Sequence, residues 1–175
     1  MNTTKKRFAL YLIAGLIFGV ADWYYLNWLG HMSWGRLGDS VIVIPIILLM
    51  NYGIWLVPII PAVIFEAKTA TKMIDPVLAG ILTWMCAIFS YYVYYGILLS
   101  LGKLPHLEHL NIFGDKIDRF WYYYWQMFKG IIIGQFFEWI FISIIGGGII
   151  GALAFVIFSR KMRSSLKAGN FQNPA

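Results

Sequence analysis

Hydrophobic residues in this chain occur in long runs rather than alternating with polar ones, and the short segments between the runs carry most of the charges. A helix needs about 20 apolar residues to cross about 30 Å of hydrocarbon. Four stretches reach that length: Phe8 to Leu29, Val41 to Phe65, Pro76 to Leu101, and a fourth within Phe120 to Phe158. As one helix the last would measure roughly 58 Å at 1.5 Å per residue, too long for one crossing. Its membrane part is therefore expected to begin at Gly130, just after Lys129, and to end at Phe158. The run from Phe120 to Trp125 ahead of it, all Phe, Trp and Tyr, has the composition of an interfacial aromatic belt.

The pattern predicts an all-α polytopic membrane protein with four transmembrane helices in a bundle. Residues 1–163 would form a single transmembrane domain with spans at about 8–29, 41–65, 76–101 and 130–158. Residues 164–175, which are polar and include Gly169 and Pro174, would be a flexible cytoplasmic tail. Pro45, Pro58 and Pro61 fall inside the second span, and each removes a helical hydrogen bond, so this helix is expected to be kinked. Asp75 followed by Pro76 reads as an N-cap and first helical residue for the third span. The triple glycine Gly146 to Gly148 is the one place where the fourth could divide into two half-helices. Lys5 to Arg7 followed by an apolar stretch and Gly19-Val20-Ala21 imitates a signal peptide, but apolar and aromatic character continues to Trp28, which favours a span.

Composition agrees with a bilayer as solvent: 60% of the residues are hydrophobic and 13% charged, against roughly a quarter charged in soluble domains. The basic residues sit at the ends of the runs instead of along one stripe, so the net charge of +6 points to lipid headgroups, with no nucleic-acid partner expected. Lys5, Lys6, Arg7, Lys68, Lys72 and the cluster from Arg160 to Lys167 lie on one side of the predicted topology. Both termini are therefore expected to be cytoplasmic, in a plasma (inner) membrane. Small residues spaced by four, Gly15 with Gly19, Gly130 with Gly134 and Gly147 with Gly151, suit close helix packing within the chain or in a homodimer.

Candidate chemistry is sparse. The single cysteine, Cys86, excludes an internal disulfide and any paired-thiol site. His106, Glu108 and His109 stand too few and too far from other ligands to predict a metal centre, and no cofactor is expected. Polar residues inside the spans carry more weight, because charge in hydrocarbon is costly. Counted from the outer boundaries, Asp22, Glu138 and Asn51 lie about 10, 12 and 15 Å deep. Tyr91 and Tyr94 of the third span fall in the same band, and Gln135 shares a helical face with Glu138. Asp22, Asn51, Tyr91, Tyr94, Gln135 and Glu138 are therefore the candidate ligand- or ion-binding residues. Two carboxyls sharing a desolvated site could exchange a proton near neutral pH. The reading favoured on these grounds is a small cation- or proton-linked carrier or channel. A non-catalytic assembly or regulatory subunit and a lipid-modifying enzyme are the alternatives. The enzyme is disfavoured, because no nucleophile motif, phosphate-binding loop or repeated acidic motif is present.

Overall fold

The computed structural model describes residues 3–33, 43–101, 124–126 and 128–170. His106, Glu108, His109 and most of the aromatic belt lie outside the described residues. Among the described residues the principal α-helices are α1 (Thr3–Ser33), α2 (Val43–Gly53), α3 (Leu56–Thr69), α4 (Ile74–Ser100) and α5 (Gly134–Asn170). A π-helical turn, Phe128–Ile133, leads directly into α5, and no strand occurs among the described residues. Three helical stretches are long and apolar enough to cross a membrane: Lys6–Gly30, Ile74–Ser100 and Tyr124–Phe158. A fourth is added if α2 and α3, which meet at 50°, are counted as one.

The junction of α2 and α3 has a local cause. Pro58 has no N–H to donate to the carbonyl of Ile54, four residues earlier, and its ring crowds that oxygen. The Val57 N–H takes the oxygen instead, at 3.0 Å, which tightens the turn at Ile54 and Trp55. Pro61 stands inside α3 without ending it. At the start of α4 the structure differs from expectation. Met73 is the capping position, Asp75 the second helical residue and Pro76 the third. Proline is tolerated there because first-turn N–H groups have no intrahelical acceptor, and Asp75 still faces the positive end of the helix dipole. Gly146 to Gly148 pass within an unbroken α5, so the last helix is not divided there. The chain does not turn at Lys129 and Gly130 either. Both belong to the π-helical turn, which inserts an extra residue into the helical repeat. α5 continues to Asn170, past Phe158 and into the segment expected to be a tail.

α4 is the central element. α1 and α5 pack along it, and α3 packs against both α4 and α5. The α1–α4 contact brings backbones together: a Cβ on Gly15 would lie 2.5 Å from the Thr83 carbonyl oxygen, and one on Gly19 would collide with Ala87 and Ser90. On the other side, a Cβ on Gly147 would lie 2.8 Å from the Gly80 carbonyl carbon, and one on Gly151 would meet Pro76 and Val77 at 2.5 Å. The glycine pairs Gly15–Gly19 and Gly147–Gly151 are thus used inside the chain. Among the described residues, no neighbouring element comes within 4 Å of the corresponding position at Gly130. Around the outside, Phe137, Phe141, Ile145, Ile149, Leu153 and Ile157 form an exposed row at four-residue steps along α5, as a lipid-facing ridge requires.

One end of the molecule is tied by a polar cluster. Arg7 donates to the Thr69 hydroxyl at 2.7 Å and stands 3.5 Å from the buried Glu66 carboxylate, which also accepts from the Tyr11 hydroxyl at 2.7 Å. Lys68 lies 5.5 Å over the Phe158 ring. The start of α1, the end of α3 and Phe158 of α5 therefore lie at the same end.

The seams give a matched test. Gly147→Ala should cost about 1–3 kcal/mol through forced separation of α4 and α5. It should be seen as a lower thermal midpoint of the detergent-solubilised protein, while Gly130→Ala should show no loss.

Candidate functional site

At the end opposite this cluster, three elements around α4 enclose a pocket of about 460 Å³. The last turn of α2 contributes Asn51 and Tyr52, the turn between α2 and α3 contributes Trp55, α4 contributes Tyr91 and Tyr92, and α5 contributes Gln135, Glu138 and Trp139. Leu26 closes the α1 side. The helical repeat explains the α5 grouping. Glu138 and Trp139 are three and four residues after Gln135, so they share a face. Across the break between α2 and α3 the repeat does not carry from Asn51 to Trp55. The turn forced by Pro58 brings Trp55 to the same cavity as Asn51.

The rings form a connected wall. Tyr52 stacks on Trp139 at 5.7 Å, Trp139 and Trp55 are 5.9 Å apart, and Trp55 meets Tyr91 edge-on at 5.8 Å. Tyr91 in turn meets Tyr92 at 5.1 Å. The Tyr92 hydroxyl donates to Gln135 Oε1 at 3.3 Å, which orients the amide in the pocket. Tyr92 also lines a second, apolar groove of about 520 Å³ between α4 and residues 124–137, whose other walls include Phe89, Phe128 and Phe136.

Of the residues singled out from the sequence, Asn51, Tyr91, Gln135 and Glu138 come together in this pocket. Glu138 does not point into a closed interior but is exposed at the pocket's edge. Tyr94 is not part of the lining. Its hydroxyl bonds that of Tyr24 and its ring meets Trp23 at 5.7 Å, on the α1 side of α4. Asp22 also stands outside the lining, one helical turn before Leu26 on the same face of α1. It is 1% exposed, and neither carboxyl oxygen has a hydrogen-bond partner among the described residues. Its electrostatic neighbours are Tyr25 and Tyr91, and Tyr91 is itself a wall of the pocket. Glu138 acts in the same way on Tyr92. Nearby, the hydroxyl of Tyr95 is likewise buried without a partner among the described residues.

Tyr52, Trp55 and Trp139 are pocket residues that counting depth did not single out, and Tyr92, in the same band of the third span as Tyr91, joins them in the lining. For Trp139 the signal was present in the i+4 spacing from Gln135. Glu66, which follows the last residue of the second predicted span, is buried and engaged by Tyr11 and Arg7. Among the described residues, no group of three or more His, Cys, Asp or Glu is placed to hold a metal ion. Comparison with protein-family models, curated proteins and solved structures finds no match. The class that fold and site define is thus a helical protein with three to four helices long and apolar enough for a membrane, carrying a polar, aromatic-walled pocket toward one end.

The two buried acids should respond oppositely to removal. Asp22→Val eliminates a buried polar group without partners and is expected to raise stability by about 1–3 kcal/mol. Glu66→Ala strands the Tyr11 hydroxyl and the Arg7 guanidinium and should lower it by a similar amount. Thermal melts of both variants in one detergent would check the signs.

Proposed function

We propose that this chain is a small cation- or proton-linked carrier or channel of the plasma membrane. It crosses as a four-helix bundle, with α2 and α3 together as one bent span and both termini cytoplasmic. The arrangement of Arg7, Thr69, Lys68 and Phe158 at one end supports this threading, because the basic residues expected on the cytoplasmic side are found together. Asp22 carries the functional reading. A buried carboxyl with both oxygens unsatisfied among the described residues is a cost that a purely structural role does not repay. Its neighbour Tyr91 opens onto a pocket that also holds Glu138, Asn51 and Gln135. In the proposed mode of action, the pocket admits the cation from the outer half of the bundle, and Asp22 exchanges its proton in response. No catalytic role is assigned to either acid.

Two measurements test this. In proteoliposomes, Glu138→Gln should abolish cation- or proton-coupled flux while leaving membrane insertion intact; an active variant would remove Glu138 from the site. In reconstituted bilayers, the carboxyl C=O infrared band should change when the pH or cation content of the bathing solution is changed. That response should disappear in Asp22→Asn. A wild-type band indifferent to both changes would leave the assembly-subunit reading as the better one.

A further inference from the structure

The walls of the pocket narrow the class of cation, an inference that rests on reading the pocket as a cation site. A hard inorganic cation needs a shell of oxygens, six to eight in the case of Ca²⁺. Here the non-aromatic polar side chains are Asn51, Gln135 and Glu138, and the Gln135 oxygen already accepts from Tyr92. The rest of the enclosure is mainly aromatic, from Tyr52 and Trp139 at the edge to Trp55 and Tyr91 in the buried part. Aromatic faces attract a cation whose charge is spread over methyl groups and which makes no demand for hydrogen bonds. A single carboxylate at the rim supplies the opposite charge. The volume, about 460 Å³, lies within the usual range of small-molecule sites.

We propose that the pocket binds an organic ammonium of the alkylated type, held against the aromatic wall of Tyr52, Trp139, Trp55 and Tyr91 with Glu138 as counter-ion. A soluble quaternary ammonium and the trimethylammonium headgroup of a choline lipid present the same chemistry.

The test is calorimetric titration of the full chain, in an uncharged maltoside detergent, with tetramethylammonium chloride and in parallel with sodium and potassium chloride. Tetramethylammonium should bind saturably with one site per chain, and the inorganic cations should not bind at equal concentration. Tyr52→Ala, Trp139→Ala and Glu138→Gln should each weaken binding about tenfold, whereas Trp139→Phe, which keeps a ring, should retain most of it. Tyr52 and Glu138 are exposed, so their variants are not expected to disturb folding. Repeating the titration in nanodiscs of choline lipid and of glycerol lipid separates the sources. Weaker tetramethylammonium binding in the choline discs identifies the headgroup as the occupant, and equal binding identifies a soluble ammonium.

The inference is overturned if tetramethylammonium does not bind, or if its binding is unchanged in all three weakening variants. Binding of sodium or potassium alone removes the ammonium and keeps the cation site. Binding of no cation, with a responsive Asp22 infrared band, removes the ammonium and keeps a proton-linked role. Binding of no cation with an unresponsive band removes both.

Discussion

Everything else in the molecule depends on how closely α1 and α5 approach α4. Between helices in lipid there is no hydrophobic driving force of the kind that assembles soluble domains, so packing contact must supply the cohesion. The chain meets this requirement with backbone-to-backbone seams at Gly15 and Gly19 on one side of α4 and at Gly147 and Gly151 on the other. At such separations even a methyl group is too large, so a side chain at any of these positions would push the neighbouring helix away from α4. The heights of Asp22 on α1, of Tyr91 and Tyr92 on α4, and of Glu138 on α5 are consequently set by glycines that lie deeper in the same helices. Contact of α3 with α4 and α5 runs instead through side chains such as Ile59 and Val63, both buried.

Against that frame Glu66, Asp22 and Glu138 diverge. Glu66 is buried but engaged by Arg7 and Tyr11, so its charge closes a structural clamp between α1 and α3. Asp22 is equally buried and has no such partner among the described residues. Glu138 is exposed beside a pocket. Burial alone therefore does not distinguish function from structure here. Partnership does, because a satisfied buried acid can be explained by the fold and an unsatisfied one cannot.

The sequence shows the apolar runs of α1, α4 and α5 plainly, since their length and composition are decided by the solvent. It also shows the depth of the polar residues, because height follows from counting at a fixed rise per residue. That is why Asn51, Tyr91, Gln135 and Glu138 were found together. Azimuth is less legible. Tyr94 lies at the same height as Tyr91 but on the face toward Trp23 and Tyr24, and Asp22 lies behind the pocket rather than in it. Rotation about each helix axis is set by which glycines seat against α4, a tertiary choice that hydropathy does not carry. The break after Gly53 follows from a single proline among three, and selecting it requires knowing which freed carbonyl finds another donor. The engagement of Glu66 depends on Arg7 and Tyr11, more than fifty residues away in the chain.

The position of the α4 tyrosines bears on how a pocket and a separate buried acid could act together. Asp22 bears electrostatically on Tyr91 and Glu138 on Tyr92, and the two rings meet edge-on at 5.1 Å. Coupling between sites needs a physical path with elements that both sites bias, and in the proposed carrier these two adjacent side chains of α4 would be that path. In the proposed carrier, a cation that offsets the charge of Glu138 would alter the field at Tyr92 and, through its contact, at Tyr91 beside Asp22. No large rearrangement of the bundle is required for that first step. Any larger motion of such a carrier would fall to the α2–α3 turn, where Pro58 has already released a helical hydrogen bond and beside which Asn51, Tyr52 and Trp55 form the remaining wall.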